Sequence, residues 1–192
     1  MSSEIVFDIE TVGDIKDYST LKVTVVSLYD YASQSFRSFE ESELGLLWPY
    51  LEKAERIIGY NSEHFDIPIL NKYYAGDLSH FPHLDLLKVI KESSGKRYKL
   101  DDIAKATLDK RKSADGLQAV QWYKEGKLDK IKEYCEQDVL VTKEIYEFGR
   151  KNKMIYYPTL TGDIMPIAVN FDMPSKFQQT ATQTNINLTL PL

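Results

Sequence analysis

The sequence predicts an α/β domain with a mixed sheet. β-branched and apolar runs crowd its N-terminal third, helical periods fill the stretch that follows, and a helix-spaced segment separates two runs that read as parallel strands. With 192 residues, 43% of them hydrophobic and 28% charged, the chain is long enough to bury one sizeable core. A net charge of -5 argues against a protein that coats nucleic acid non-specifically. No apolar run reaches the length of a bilayer span, so no membrane partner is expected. Met1-Ser2-Ser3-Glu4 leads straight into a strand pattern without a basic segment or a signal-like core, and a cytoplasmic protein is expected. Cys135 is the single cysteine, which leaves no intrachain disulfide and no cysteine-rich zinc site. His64, His80 and His83 lack ligand-pair spacing.

Ile5 to Ile9 forms the first strand, and the polar run Thr11 to Thr20, with Gly13, reads as a loop. Val23, Val25, Val26 and Leu28 mark a second strand, Asp30 to Ser35 a turn, and Phe36 to Phe39 its antiparallel partner. Leu44, Leu47, Trp48 and Leu51 recur at helical spacing before a buried fourth strand from Arg56 to Tyr60, which is the strand-helix-strand arrangement of parallel pairing. Helix is expected again from about Asp66 to Ala75, ended by Gly76, then a short fifth strand at Leu84 to Leu86 and an amphipathic segment around Leu87 and Ile90. Helical patterns next cover Leu100 to Ala106, Gly116 to Tyr123 and Leu128 to Arg150, with Asp101 and Asp115 as caps. Residues 1–157 are expected to form the domain. Residues 158–192, rich in Thr, Gln and Asn, are expected to be an extension, flexible or added as strands. In it Ile164 to Phe171 could form a strand, and Ile186, Leu188 and Leu190 alternate in a way suited to a sheet edge, here or on a protein partner.

Three acidic signals stand out. In Phe7-Asp8-Ile9-Glu10-Thr11 the period of two puts Asp8 and Glu10 on one face of a strand and Phe7 and Ile9 on the other. Like charges held side by side ask for a cation or a proton, unless this is an edge strand with an acidic solvent face. Asp66, in Asn61-Ser62-Glu63-His64-Phe65-Asp66, follows the fourth strand, where ligand crevices of α/β sheets lie, although a helix-capping role is open to it. Tyr134 and Asp138 stand one turn apart at the edge of the last helix's apolar stripe, where a carboxylate is costly unless paired or bound to metal, while Glu133, Glu136 and Gln137 can face water. Four carboxylates in one crevice call for divalent cations, and oxygen-only ligation selects Mg2+ or Mn2+ over zinc. Two such ions about 4 Å apart suit in-line displacement at a phosphodiester.

F-D-I-E-T, N-x-x-x-F-D and Y-x-x-x-D, in this order, resemble the three motifs of the DEDD superfamily of 3′-to-5′ exonucleases, and the tyrosine is that of its tyrosine subgroup. The second motif looks like that of family B DNA polymerase proofreading domains and of related stand-alone predicted exonucleases. The resemblance covers residues 4 to about 150, and it leaves no room for a polymerase domain in the rest of the chain, so a free-standing exonuclease or a subunit is expected. It implies a ribonuclease-H-like fold: a mixed five-stranded sheet, three antiparallel strands and then parallel ones, flanked by helices. It further implies that Asp8 bridges two Mg2+ or Mn2+ ions, that Glu10 and Asp138 complete the site of the water-activating ion, and that Asp66 helps hold the second. Tyr134 would orient the attacking water, since a phenol with an unperturbed pKa near 10 is a poor base at neutral pH.

Ile9, Thr11 and the backbone after Glu10 would contact the terminal nucleotide, and Asn61 and Phe65 would support substrate or the turn, with core packing open to Phe65. The basic stretch that includes Lys96, Arg97 and Lys112 would guide the phosphate backbone, unless it is only a solvated face. The expected substrate is the 3′ end of single-stranded DNA or RNA. An exoribonuclease, a structure-specific nuclease and a non-catalytic binding scaffold are the alternatives.

Overall fold

The computed structural model describes residues 3–110, 116–159 and 161–172. Its elements are β1 (Glu4–Val12), β2 (Lys22–Asp30), β3 (Ser35–Glu40), α1 (Leu44–Lys53), β4 (Arg56–Gly59), α2 (Asp66–Leu70), β5 (His83–Asp85), α3 (Leu86–Ser94), α4 (Leu100–Leu108), α5 (Gly116–Lys124), α6 (Leu128–Asn152), β6 (Met154–Pro158) and β7 (Ile164–Ala168). The first five strands form one sheet in the order β3-β2-β1-β4-β5. The β1/β2 and β2/β3 pairs are antiparallel, and β1/β4 and β4/β5 are parallel. This is the mixed five-stranded sheet that the sequence predicts, flanked by helices.

β1 lies in the middle of the sheet, which removes the reading of an edge strand with an acidic solvent face. Its alternation is resolved by burial on both faces. Ile5, Phe7 and Ile9 join the core formed with α1 and α2 through Leu47, Leu51, Ile67 and Leu70. Val6, on the opposite face, packs with Val139, Ile145 and Tyr146 of α6. Asp8 and Glu10 therefore continue the α6 face of a central strand rather than a solvent face.

Some boundaries differ from expectation. α2 stops at Leu70, because the backbone then tightens into a turn in which Lys72 and Tyr73 donate to Ile69 and Leu70. The Asn71 side chain bonds to Leu78 N–H and Asp77, tying that turn to the next loop. Asp101 does not cap α4. Lys99 occupies the cap position, and Asp101 sits inside the first turn, where the helix dipole favours an acid. Asp115 lies outside the described residues. β7 pairs with β6 in an antiparallel hairpin, so a strand does form within 164–171. The alternating residues Ile186, Leu188 and Leu190 fall outside the described residues.

Candidate active site

β1 outruns its parallel neighbour. Its ladder with β4 covers Glu4 to Val6 opposite Arg56 to Ile58, so the segment with the two acids projects past the end of β4 and beside the turn that leaves it. The pairing with β2 slips between Glu10 and Thr11, a bulge of the kind that re-aims side chains. The Thr24 hydroxyl donates to the Glu10 carbonyl at 3.0 Å and holds the backbone there.

α6 crosses the same face and brings Asp138 to the pair. One carboxylate oxygen from each of Asp8, Glu10 and Asp138 lies within 4.8 Å of the other two. Asp8 and Glu10 are half-buried, and Asp138 is buried. Tyr134, one turn before Asp138, is also buried, with its ring edge-on to Trp122 of α5 at 6.1 Å between centroids. Beneath the pair, the Cys135 thiol donates to the Asp8 carbonyl at 3.4 Å and lies 3.7 Å from its carboxylate. Burial first, and then the charges of Asp8 and Glu10, push this thiol far above its ordinary pKa, so it remains a neutral packing group.

Asp66, the first residue of α2, comes to β1 from the turn after β4 and is not among the three acids whose oxygens converge within 4.8 Å. The backbone N–H of Ile9, between the two β1 acids, donates to its carboxylate, and burial pushes that carboxylate up to about 7, with the charge of Asp85 adding to the rise. The turn delivering Asp66 is tightly specified. Asn61 adopts a left-handed backbone with φ 64°, and its carbonyl accepts from His64 and Phe65. Ser62 is fully buried, with its hydroxyl 2.8 Å from His83 Nε2. Gly59 makes room for it, since a Cβ there would overlap the Ser62 side chain.

The remaining predicted residues divide. The Ile9 side chain is in the core, which leaves its main chain as the part beside the acids. Thr11 is half-buried just past the bulge. Phe65 is half-buried against Tyr18, edge to face at 5.5 Å. Arg97 is exposed and donates to Asn61 Oδ1 at 2.6 Å, which ties the basic stretch to the turn. Lys96 is exposed, Lys110 is paired with Glu144 at 2.6 Å, and Lys112 lies outside the described residues. Glu136 is half-buried and accepts from the Ser38 hydroxyl at 2.6 Å. Asp85 supports the site from a position that carries no sequence motif, and Cys135 from an unspecified position within Y-x-x-x-D.

Asp8, Glu10, Asp66 and Asp138 offer oxygen alone, a set that fits a hard divalent ion such as Mg2+ or Mn2+. Among the described helices none is long and apolar enough to cross a membrane. The model of the RNase H superfamily matches residues 5–148. No curated protein matches the sequence. Among solved structures, the family B DNA polymerase from the hyperthermophilic archaeon Pyrobaculum calidifontis is similar, with a TM-score of 0.61, 18% identity and 76% of this chain covered. The match spans 24% of that polymerase, and at this identity the likeness is one of fold.

Proposed function

We propose, for a chain that belongs to the RNase H superfamily, a metal-dependent 3′-to-5′ exonuclease that hydrolyses single-stranded nucleic acid, DNA by preference, to nucleoside monophosphates. The observation that carries this reading is the convergence of Asp8, Glu10 and Asp138 within 4.8 Å. Asp8, Glu10, Asp66 and Asp138 would hold two Mg2+ or Mn2+ ions, which when bound supply an activated water and stabilise charge at the leaving oxygen. Tyr134, held by Trp122, orients that water through its hydroxyl. Thr11 and the backbone around Ile9 meet the terminal nucleotide, while Arg97, steadied by Asn61, meets a phosphate. A single strand suits a narrow crevice, because a paired 3′ end must leave its complement to enter. The alternation of Ile186, Leu188 and Leu190 in the sequence suits a protein partner with an open sheet edge.

The test is digestion of matched 5′-labelled single-stranded DNA and RNA in Mg2+, Mn2+ or EDTA, beside Asp8→Ala. A metal-dependent ladder that shortens from the 3′ end and is absent in Asp8→Ala is expected. Internal fragments would favour an endonuclease, a ladder on RNA alone would make it an exoribonuclease, and an equal ladder from Asp8→Ala would remove the carboxylate site from the chemistry.

A further inference from the structure

We infer that Asp85 is a positioning residue for the candidate site, fixing the turn between β4 and α2 so that Asp66 meets Ile9. This rests on the two-metal reading above.

Asp85 ends β5 opposite Gly59, the last residue of β4, and is 4% exposed. Its Oδ1 accepts from Leu87 N–H at 2.9 Å and Lys88 N–H at 3.3 Å, the bonds of a helix cap on α3. That would suffice for an ordinary cap, in which one side-chain oxygen serves the first turn. Asp85 takes two further donors from the turn: Asn61 N–H to Oδ1 at 2.8 Å and Glu63 N–H to Oδ2 at 3.1 Å. These clamp the turn on both sides of Ser62. Asn61 needs such a hold, because a non-glycine residue with φ 64° costs backbone energy that its surroundings must offset. The same Asn61 carries Arg97, so one buried carboxylate sets both Asp66 and the basic side chain nearest the turn. Groups that orient ligands in this way typically change metal affinity or activity by about 10- to 100-fold when altered.

The two oxygens divide the two roles, which makes the inference testable. In Asp85→Asn the amide oxygen can keep the three Oδ1 donors, including the whole helix cap, while the amide NH2 faces the Glu63 N–H, donor against donor. Asn caps about as well as Asp, so the loss falls on the turn. Asp77→Ala serves as a control, since Asp77 also accepts a first-turn N–H, from Ser79, and a side-chain donor, from Asn71, but in a loop beyond α2.

Mn2+ titrations of the full chain, read by electron paramagnetic resonance of the unbound ion, are run with thermal unfolding of each variant. Wild type and Asp77→Ala are expected to bind two ions alike, and Asp85→Asn to bind one of the two about 10- to 100-fold more weakly. An unchanged isotherm in Asp85→Asn, whatever its melting temperature, overturns the inference and leaves the two-metal reading standing. A wild-type protein that binds no Mn2+ overturns both.

Discussion

Asp66 is where burial and charge conflict most sharply. In the metal-free folded chain its carboxyl keeps a proton up to about 7, mainly because of burial, against 3.8 ordinarily. Between those values the folded state therefore binds more protons than the unfolded chain, so this residue makes stability fall as pH rises. Urea unfolding in EDTA at pH 4.5 and pH 7.5 should show the loss, and Asp66→Asn should remove its share, a slope no steeper than about 1.4 kcal/mol per pH unit. An identical pH profile in the variant would mean that Asp66 is ionised when metal-free. On the two-metal reading proposed above, an ion held by Asp66 would favour the carboxylate, and its binding is expected to be tighter at higher pH. Asp138, buried beside Asp8 and Glu10, belongs to the same logic of acids that a cation relieves.

Among the elements, β1 and the turn after β4 show what could be read in the sequence. The alternation of Phe7, Asp8, Ile9 and Glu10 was legible because a central strand buries both faces, and only a special reason puts acids on one of them. The Asp138 and Tyr134 pair was legible from helical spacing against an apolar stripe. Asp85 was not, because its value lies in bonds to Asn61 and Glu63, more than twenty residues earlier, which leave no period. The contact of Cys135 with Asp8 and that of Ser62 with His83 were hidden for the same reason. In the basic stretch, composition reports Lys110 and Arg97 alike, yet one pairs with Glu144 and the other bonds to Asn61. Gly59 offers the test at this scale. A Cβ there would meet Ser62 Cβ and Oγ, which cannot swing away as a long side chain would. Gly59→Ala should cost about 1–3 kcal/mol in denaturant unfolding, as overpacking does, and should reduce Mn2+ affinity along with it by moving the turn.

Across the whole molecule, one buried knot fastens the ends of the elements opposite the candidate site. Arg56, the first residue of β4, pairs with Glu4, the first of β1, at 2.6 Å, and both side chains are at most 3% exposed. The Tyr146 hydroxyl of α6 donates to Glu4 at 2.8 Å, and burial pushes it up to about 12, so it keeps the proton it donates. Without Arg56, the buried Glu4 keeps, among the described residues, only the exposed Arg150, 3.2 Å away, as a charged partner. Arg56→Ala should cost about 3–5 kcal/mol in equilibrium unfolding, whereas a loss under about 1 kcal/mol would show that water replaces the guanidinium. The guanidinium also donates to the Tyr146 hydroxyl at 2.7 Å and to two main-chain oxygens far along the chain, those of Phe171 at 3.0 Å and Asp172 at 2.9 Å. Phe171 itself is fully buried against Gly149 of α6. A stop codon after Phe148, at the end of the segment shared with the superfamily, would strip those oxygens and that ring away together, so the smallest piece worth expressing extends through Asp172.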